Sequence, residues 1–435
     1  MLWFFWGFIC MMFRASSVHV VMSLCLFMPC MVSSTYKVFS NLEDGMIMYN
    51  SINMILVFLT MSLTLLVMLS CWYVREIKYN FVTLLLSLVL FSCFLSSNLL
   101  VFYVMFELSL LPILFLIIGW GYQPERIQAG VYMVMYTVLA SMPLMIFIFY
   151  LYMHLNSLSV YLLFLCHLSV PTMLGFLGLL AFLVKLPVYG VHIWLPKAHV
   201  EAPLGGSMIL AGVLLKLGGY GLYLYTNMVS FMSNFYSTCF ILSLAIWGGS
   251  LAAWFCFNQN DIKAMIAYSS IVHMSIVVMG LMSNTSWGQA SASITMVAHG
   301  WASSGLFLLA YINYMLVGSR SFSYTKGILQ VVPILSMSWF IYCIFNMAVP
   351  PTINLLGELA IIPVSLLLSW KLLLVVLLIM FLSVCYNMYL YMCINHGAVS
   401  GYVNMHKPLS CVIFLPLLGH LMPLILLFNM ELLYC

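Results

Sequence analysis

The chain has 435 residues, of which 65% are hydrophobic and 5% charged, with a mean hydropathy of +1.16. Soluble domains carry about 25% charged residues, so this composition excludes a water-soluble fold and describes a polytopic membrane protein. The thirteen Lys and Arg give a net charge of +4 but lie scattered in short loops with no basic stripe, which excludes nucleic acid and leaves the lipid bilayer as the first partner.

The opening MLWFFWGFICMMFR has no positive stretch ahead of its apolar part and reads as the approach to a first span, not as a cleaved signal. Apolar runs of roughly 20 residues predict spanning helices near 16–33, 51–74, 80–97, 98–118, 129–151 and 160–195, the last long and broken. Further spans follow near 207–227, 234–256, 263–282, 289–316, 331–347, 354–369, 372–394 and 410–429. The expectation is an all-α membrane protein of about fourteen helices joined by short loops. With that alternation one face receives Arg14, Arg75, Lys78, Arg126, Lys197, Lys263, Arg320, Lys326 and Lys371, and the other only Lys37 and Lys407. Lys and Arg concentrate on the inner side of membranes, so both termini are expected there.

The thirteen cysteines contain no C-x-x-C and mostly lie in apolar runs, where thiols act as small hydrophobes. There is no G-x-G-x-x-G after a strand, no P-loop and no haem or cluster pattern, so no cofactor is expected in this chain. Chemistry must come from ionisable side chains at bilayer depth.

Glu107 stands mid-span in NLLVFYVMFELSLLPILFLIIGW, with Pro112 five residues later. A charge there costs roughly 2.5–3.5 kcal/mol and must face the bundle interior, either as a structural ion pair or as a proton site. Lys185 is followed by Pro187 and Gly190, so a hydrophobic helix is expected to break just beyond its charge. Such a break survives in a membrane only where protein or a wet cavity satisfies the freed backbone. Lys216 shares a helix face with Gly205, Gly212 and Gly219, a small-residue face that brings helices close and points the lysine into protein. A lysine stripped of water exchanges protons near neutral pH, and a carboxylate at changing distance would switch that exchange.

His273 lies near Ser269, Ser270 and Ser275, and His299 near Ser303 and Ser304. These groups either line a hydrated path or hydrogen-bond helices together. His192 and His199, seven apart with Pro196 between, show no metal spacing. Glu358 lies early in a span that follows Val349-Pro350-Pro351. That interruption weakly mirrors the break at Lys185, as in transporters built from inverted repeats. Glu76, Glu125, Glu201 and Asp261 fall in or beside loops. The pairs Glu125–Arg126 and Asp261–Lys263 read most simply as solvated or locally paired.

Five segments, FELSLLPILFLIIGWGYQPERIQAGVYM, LVKLPVYGVHIWLPKAHVEAPLGGSMILAGVLLKLGGYG, DIKAMIAYSSIVHMSIV, AHGWASSGLFLLA and PPTINLLGEL, occur in this order. Over Phe102 to Glu358 they closely resemble the antiporter-like subunit 4 family of mitochondrial NADH–ubiquinone oxidoreductase, respiratory complex I. The resemblance implies two inverted five-helix repeats, each with a broken helix. The segments would be N-terminal helices (1–97), a first half-channel (98–227), a second half-channel (228–394) and a C-terminal helix (395–435). It makes Glu107, Lys185, Lys216 and Glu358 the proton-transfer residues, with His273 and His299 lining the path. Protons would enter the first half, pass Lys185 and Lys216 and leave near Glu358. The driving reaction would be electron transfer from NADH to ubiquinone elsewhere in the complex. The implied partners are the other membrane subunits, which would hold or adjoin the NADH, FMN, iron–sulfur clusters and ubiquinone, in the mitochondrial inner membrane. Tyr189, Gly190 and Gly205 depart from the family pattern without touching the charged set. A stand-alone cation/proton antiporter is the competing reading, since the same buried Lys and Glu would serve it. A purely structural scaffold would have no use for four costly buried charges.

Overall fold

Long runs of Leu, Ile, Val, Phe and Met leave the backbone no polar partner but itself, and in lipid that condition is met by helices. A computed structural model describes residues 42–44, 47–71, 76–166, 170–229, 235–402 and 413–425. The span expected at 16–33 lies outside them. A small antiparallel ladder, β1 (Leu42–Asp44) on β2 (Ile47–Tyr49), precedes the helices with Glu43 opposite Met48.

The helices follow the apolar runs. They are α1 (Ser51–Ser70), α2 (Ile77–Leu95), α3 (Leu99–Trp120, interrupted at Ser109), α4 (Arg126–Leu155), α5 (Val160–Cys166) and α6 (Thr172–Lys185). Then come α7 (Trp194–Glu201), α8 (Leu204–Met228), α9 (Phe235–Phe257), α10 (Ile262–Met282) and α11 (Ser286–Val317). The short α12 (Ile328–Val331), α13 (Pro333–Asn346), α14 (Ile353–Leu368), α15 (Trp370–Asn395) and α16 (Phe414–Ile425) complete the described chain. Among the described residues, nine helices are long and apolar enough to cross a membrane: α1, α2, α3, α4, α8, α9, α10, α11 and α15. The helices α6, α13, α14 and α16 are apolar but shorter.

Two predicted stretches are redrawn: the spans expected at 331–347 and 354–369 are the shorter helices α13 and α14, and the run 160–195 is divided differently. The run 160–195 is not a single broken helix: α5 is described as far as Cys166, the chain is non-helical at 170–171, α6 ends at Lys185, and the chain turns through 186–193 before α7 carries on to Glu201. The break falls where Lys185 and Pro187 placed it. Its second half lies further along, because Pro196 fits within the first turn of a new helix.

Helix α11 is the hub, packed against α1, α8, α10, α13, α14 and α16. At 1.5 Å per residue its 32 residues run about 48 Å, longer than the roughly 30 Å apolar core of a bilayer. Nearly all of α8 and α10 is buried beside it, whereas α4 and α15 expose Leu139, Ile146, Leu374 and Phe381 outward. Those outer apolar faces suit lipid or neighbouring membrane helices.

Part of the helix ends sorts as the loop charges predict, but Lys371 does not: Ser400, just past α15, bonds Lys326 and Tyr324, so the first turn of α15 with Lys371 lies at the opposite end from that loop. The Trp120 indole donates to Glu76 at 2.5 Å and Arg126 to the Gly121 carbonyl at 2.8 Å. Arg320 pairs with Glu201 at 3.6 Å, and the Ile262 amide bonds the Arg320 carbonyl at 3.1 Å. These contacts gather one set of helix ends around Lys78, Arg126, Lys263 and Arg320. The opposite ends meet through the Asn98–Ser159 bridge and through Gln289 on Asn227.

Candidate functional site

The break after α6 is closed by side chains. Pro187 has no amide to offer Leu183, whose carbonyl is taken by the Val188 amide at 3.1 Å, and the Trp194 indole caps the Val184 carbonyl at 3.1 Å. Within the turn, His192 Nδ1 accepts the Gly190 amide at 3.2 Å, a structural use of that ring. Lys185 is 4% exposed and reaches across to α3. Its ammonium donates to the Phe106 carbonyl at 3.1 Å, lies 3.5 Å from Ser109 Oγ and sits 3.2 Å from the centre of the Phe106 ring. The interruption at Ser109 frees that carbonyl for side chains, and the ring face adds cation–π attraction.

Glu107 is half-buried with Oε1 enclosed and unpartnered. It makes no ion pair with Lys185, which grips the residues on either side of it instead. The sequence brought the two to the same place but not into contact.

Deeper in, α8 carries a π turn at Leu210–Leu214 immediately before Lys216. The Leu215 amide there bonds back five residues to Leu210, and the wider coil leaves the Ala211 carbonyl facing the side chain of Lys216, which donates to it at 2.6 Å. The glycine face is real. A Cβ on Gly205 would stand 2.3 Å from Tyr79 Oη, one on Gly212 2.3 Å from Leu63, and one on Gly219 2.3 Å from Met296. With α1, α2 and α11 drawn so close, Lys216 is wholly enclosed, and its Nζ lies 3.1 Å from His299 Nδ1 on α11.

From His299 the line continues. The His299 and His273 rings stand 5.1 Å apart, and His273 Nδ1 is 3.7 Å from Glu358 Oε1 on α14. Lys216, His299, His273 and Glu358 therefore form one buried series of proton donors and acceptors on four helices. The 3.7 Å step exceeds a direct hydrogen bond and no hydrogen bond joins the two rings, so proton passage at either step would need a bridging water or a small approach. The serines expected to surround the histidines bond their own helices instead: Ser269 to Ile266, Ser270 to Ala267, Ser275 to Val272 and Ser303 to His299. Both ring nitrogens of His273 and Nε2 of His299 are left unpartnered.

Sequence reading missed three groups. His199 is fully buried, stacked on Phe307 at 4.6 Å, with neither ring nitrogen bonded. Lys263 and Glu201, read as loop charges, are each only 3% exposed. Lys263 donates to the Ala202 carbonyl at 3.1 Å and Glu201 pairs with Arg320, so both are held by protein groups. The one available hint was position: both lie within a turn of a long apolar run, and burial there depends on which helix ends meet.

The chain is similar to known proteins in sequence and fold. The family described as NADH:quinone oxidoreductase/Mrp antiporter, TM is matched by residues 96–384. NADH-ubiquinone oxidoreductase chain 4 of Albinaria caerulea is 46% identical over 369 residues, 85% of this chain and 84% of that one. The chain 4 of Lumbricus terrestris is 39% identical, covering 84% and 82%. In solved structures, a chain of respiratory complex I from Thermus thermophilus superposes with a TM-score of 0.87 at 21% identity, over 95% of this chain and 92% of its own. A chain of the Mrp complex from Dietzia sp. gives 0.86 at 15%, over 99% and 94%. These two likenesses show the fold. The family match and the relatives show more: this chain belongs to the NADH:quinone oxidoreductase/Mrp antiporter transmembrane family, among its members named NADH-ubiquinone oxidoreductase chain 4.

Proposed function

We propose that this chain is a proton-translocating membrane subunit of NADH:ubiquinone oxidoreductase, carrying protons through its buried Lys–His–Glu series while electrons pass from NADH to ubiquinone elsewhere in the complex. The buried continuity from Lys216 through His299 and His273 to Glu358 carries the reading. Four ionisable groups held out of lipid and within a few ångströms of one another are costly unless they work. Lys185, resting on a carbonyl and an aromatic face with Glu107 nearby but unpaired, feeds the series from the first half.

The two helix breaks, after Lys185 and between α13 and α14, support two inverted five-helix repeats. Their half-channels would span 98–227 and 228–394, between N-terminal helices (1–97) and a C-terminal segment (395–435). The basic loop face is the matrix side of the inner mitochondrial membrane, with both termini there. NADH, FMN, iron–sulfur clusters and ubiquinone belong to other subunits, and the exposed apolar faces of α4 and α15 receive neighbouring membrane subunits or lipid. A stand-alone antiporter shares the fold, as the Mrp likeness illustrates. The chain 4 relatives favour membership of the larger complex.

The test replaces Lys216 by Met, which keeps the length of the side chain and removes its proton. NADH-driven proton transport in sealed membranes is expected to fall about tenfold or more, with the assembled NADH-oxidising complex still visible on a native gel. Normal transport per electron in that variant would sink the assignment. Migration of the wild-type chain alone, away from NADH oxidation, would point to the antiporter.

A further inference from the structure

The proton series described above is buried at both ends, and nothing in it reaches water. A polar cavity among the described residues does. It holds about 350 Å³ at the basic end of the molecule and is walled by Tyr122, Gln123, Asp261, Lys263, Tyr311 and Arg320. A polar space of this size accommodates several waters.

Its inner wall touches the last turn of α7, the second half of the broken helix. Arg320 donates to the Val200 carbonyl and pairs with Glu201, so its charge is answered. Lys263 is only 3% exposed and rests on the Ala202 carbonyl, and among the described residues no carboxylate lies within ion-pair distance of it. Three residues before Ala202 stands His199, its two nitrogens unpartnered. Helix α11 gives the same order independently. His299, Ser303, Phe307, Tyr311 and Tyr314 recur at three- and four-residue steps and so share one face. Tyr311 and Tyr314 line the cavity, Phe307 stacks on His199, and His299 meets Lys216, so this face runs from water to the buried lysine.

We propose that this cavity is the aqueous mouth of the proton path and that Lys263 is its inner gate, exchanging protons between cavity water and the histidine–lysine series. The proposal rests on the proton-transport reading. In each passage a hydronium from the aqueous phase gives one proton to the neutral Lys263 amine and leaves water. The ammonium then gives that proton inward, through a bridging water, to the imidazole of His199, which restores the amine. Uncharged, Lys263 still donates to the Ala202 carbonyl, so the wall keeps its shape through the cycle.

Two measurements on the assembled complex in sealed membranes test this. Lys263→Met and Lys263→Arg are compared, because arginine keeps the positive cap on Ala202 but does not release its proton. Both variants are expected to lower NADH-driven proton transport about fivefold or more at normal abundance of the complex. Near-normal transport in Lys263→Arg would show that the residue only caps α7 and would overturn the gate. In the second, Gln123→Cys on the cavity rim is treated with a bulky, membrane-impermeant thiol reagent. Reagent added on the basic loop face is expected to cut transport about threefold or more, with no effect on the wild type or from the opposite face. Complete labelling with unchanged transport would overturn the mouth. If Lys216→Met also transports normally the functional reading itself has failed; if it is inactive while both tests here are negative, only the mouth is misplaced.

Discussion

Glu107 is the residue whose geometry asks for the closest test. Its Oε1 is enclosed without a partner while Lys185 holds Phe106 and Ser109 on either side, so the carboxylate and the ammonium are neighbours along α3 without being paired. An acid–base pair with adjustable separation changes the proton affinity of both members as it closes and opens. Glu107→Gln is expected to lower proton transport about tenfold, and Glu107→Asp to keep part of it, because the shorter carboxylate can still be charged. Equal activity of Glu107→Gln and wild type, measured as protons moved per NADH oxidised, would return Glu107 to a purely structural role. Lys216 differs from Lys185 in having its partners already in place, Ala211 on one side and His299 on the other.

At the scale of elements, the site depends on close approach and on two interrupted helices. Gly305 on α11 faces Tyr342 so tightly that a Cβ would lie 2.1 Å from the ring, and Tyr342 in turn donates to the Leu417 carbonyl on α16 at 2.7 Å. Adding atoms to a filled interior costs roughly 1–3 kcal/mol. Gly305→Ala is therefore expected to lower the thermal or detergent resistance of the complex, whereas Gly119→Ala, with nothing within 4 Å of its new methyl, is expected to leave it unchanged. Indistinguishable melting of the two variants would show that α13 yields freely. At the first break, Trp194→Phe removes the donor that caps Val184 and leaves a buried carbonyl unsatisfied, a loss of about 1–3 kcal/mol. Reduced amounts of assembled complex on a native gel, with transport per complex largely kept, are the expected result.

In the whole molecule the first and second halves are joined through polar contacts as well as packing. Lys216 meets His299, Lys263 meets Ala202, and Glu201 meets Arg320, each pair with one member before residue 228 and one after it. Deleting one member of the Glu201–Arg320 pair leaves the other charge without its partner in a largely enclosed site beside the polar cavity, at a cost of roughly 1–3 kcal/mol. Arg320→Gln alone is expected to reduce assembled complex severalfold, and Glu201→Gln in the same chain to restore much of it by removing the stranded carboxylate. No recovery in the double variant would mean that the arginine matters for its bond to Val200 and not for its charge.

The amino-acid sequence by itself determined the membrane character, the positions of most helices, the break after Lys185 and the face of α8 that carries Lys216. These follow from local chemistry: apolar run length, a proline without an amide, and glycines at a spacing of seven. Loop charges grouped the helix ends near Lys78, Arg126, Lys263 and Arg320 but misplaced Lys371, because α13 and α14 are shorter than the separate spans counted for them. Tertiary structure alone decided that Lys185 rests on Phe106 and not on Glu107, that the serines near the histidines turn to their own helices, and that Lys263, Glu201 and His199 are buried. A charge near a helix end is solvated or enclosed according to the helices that arrive beside it from far along the chain, and no local pattern records that arrival.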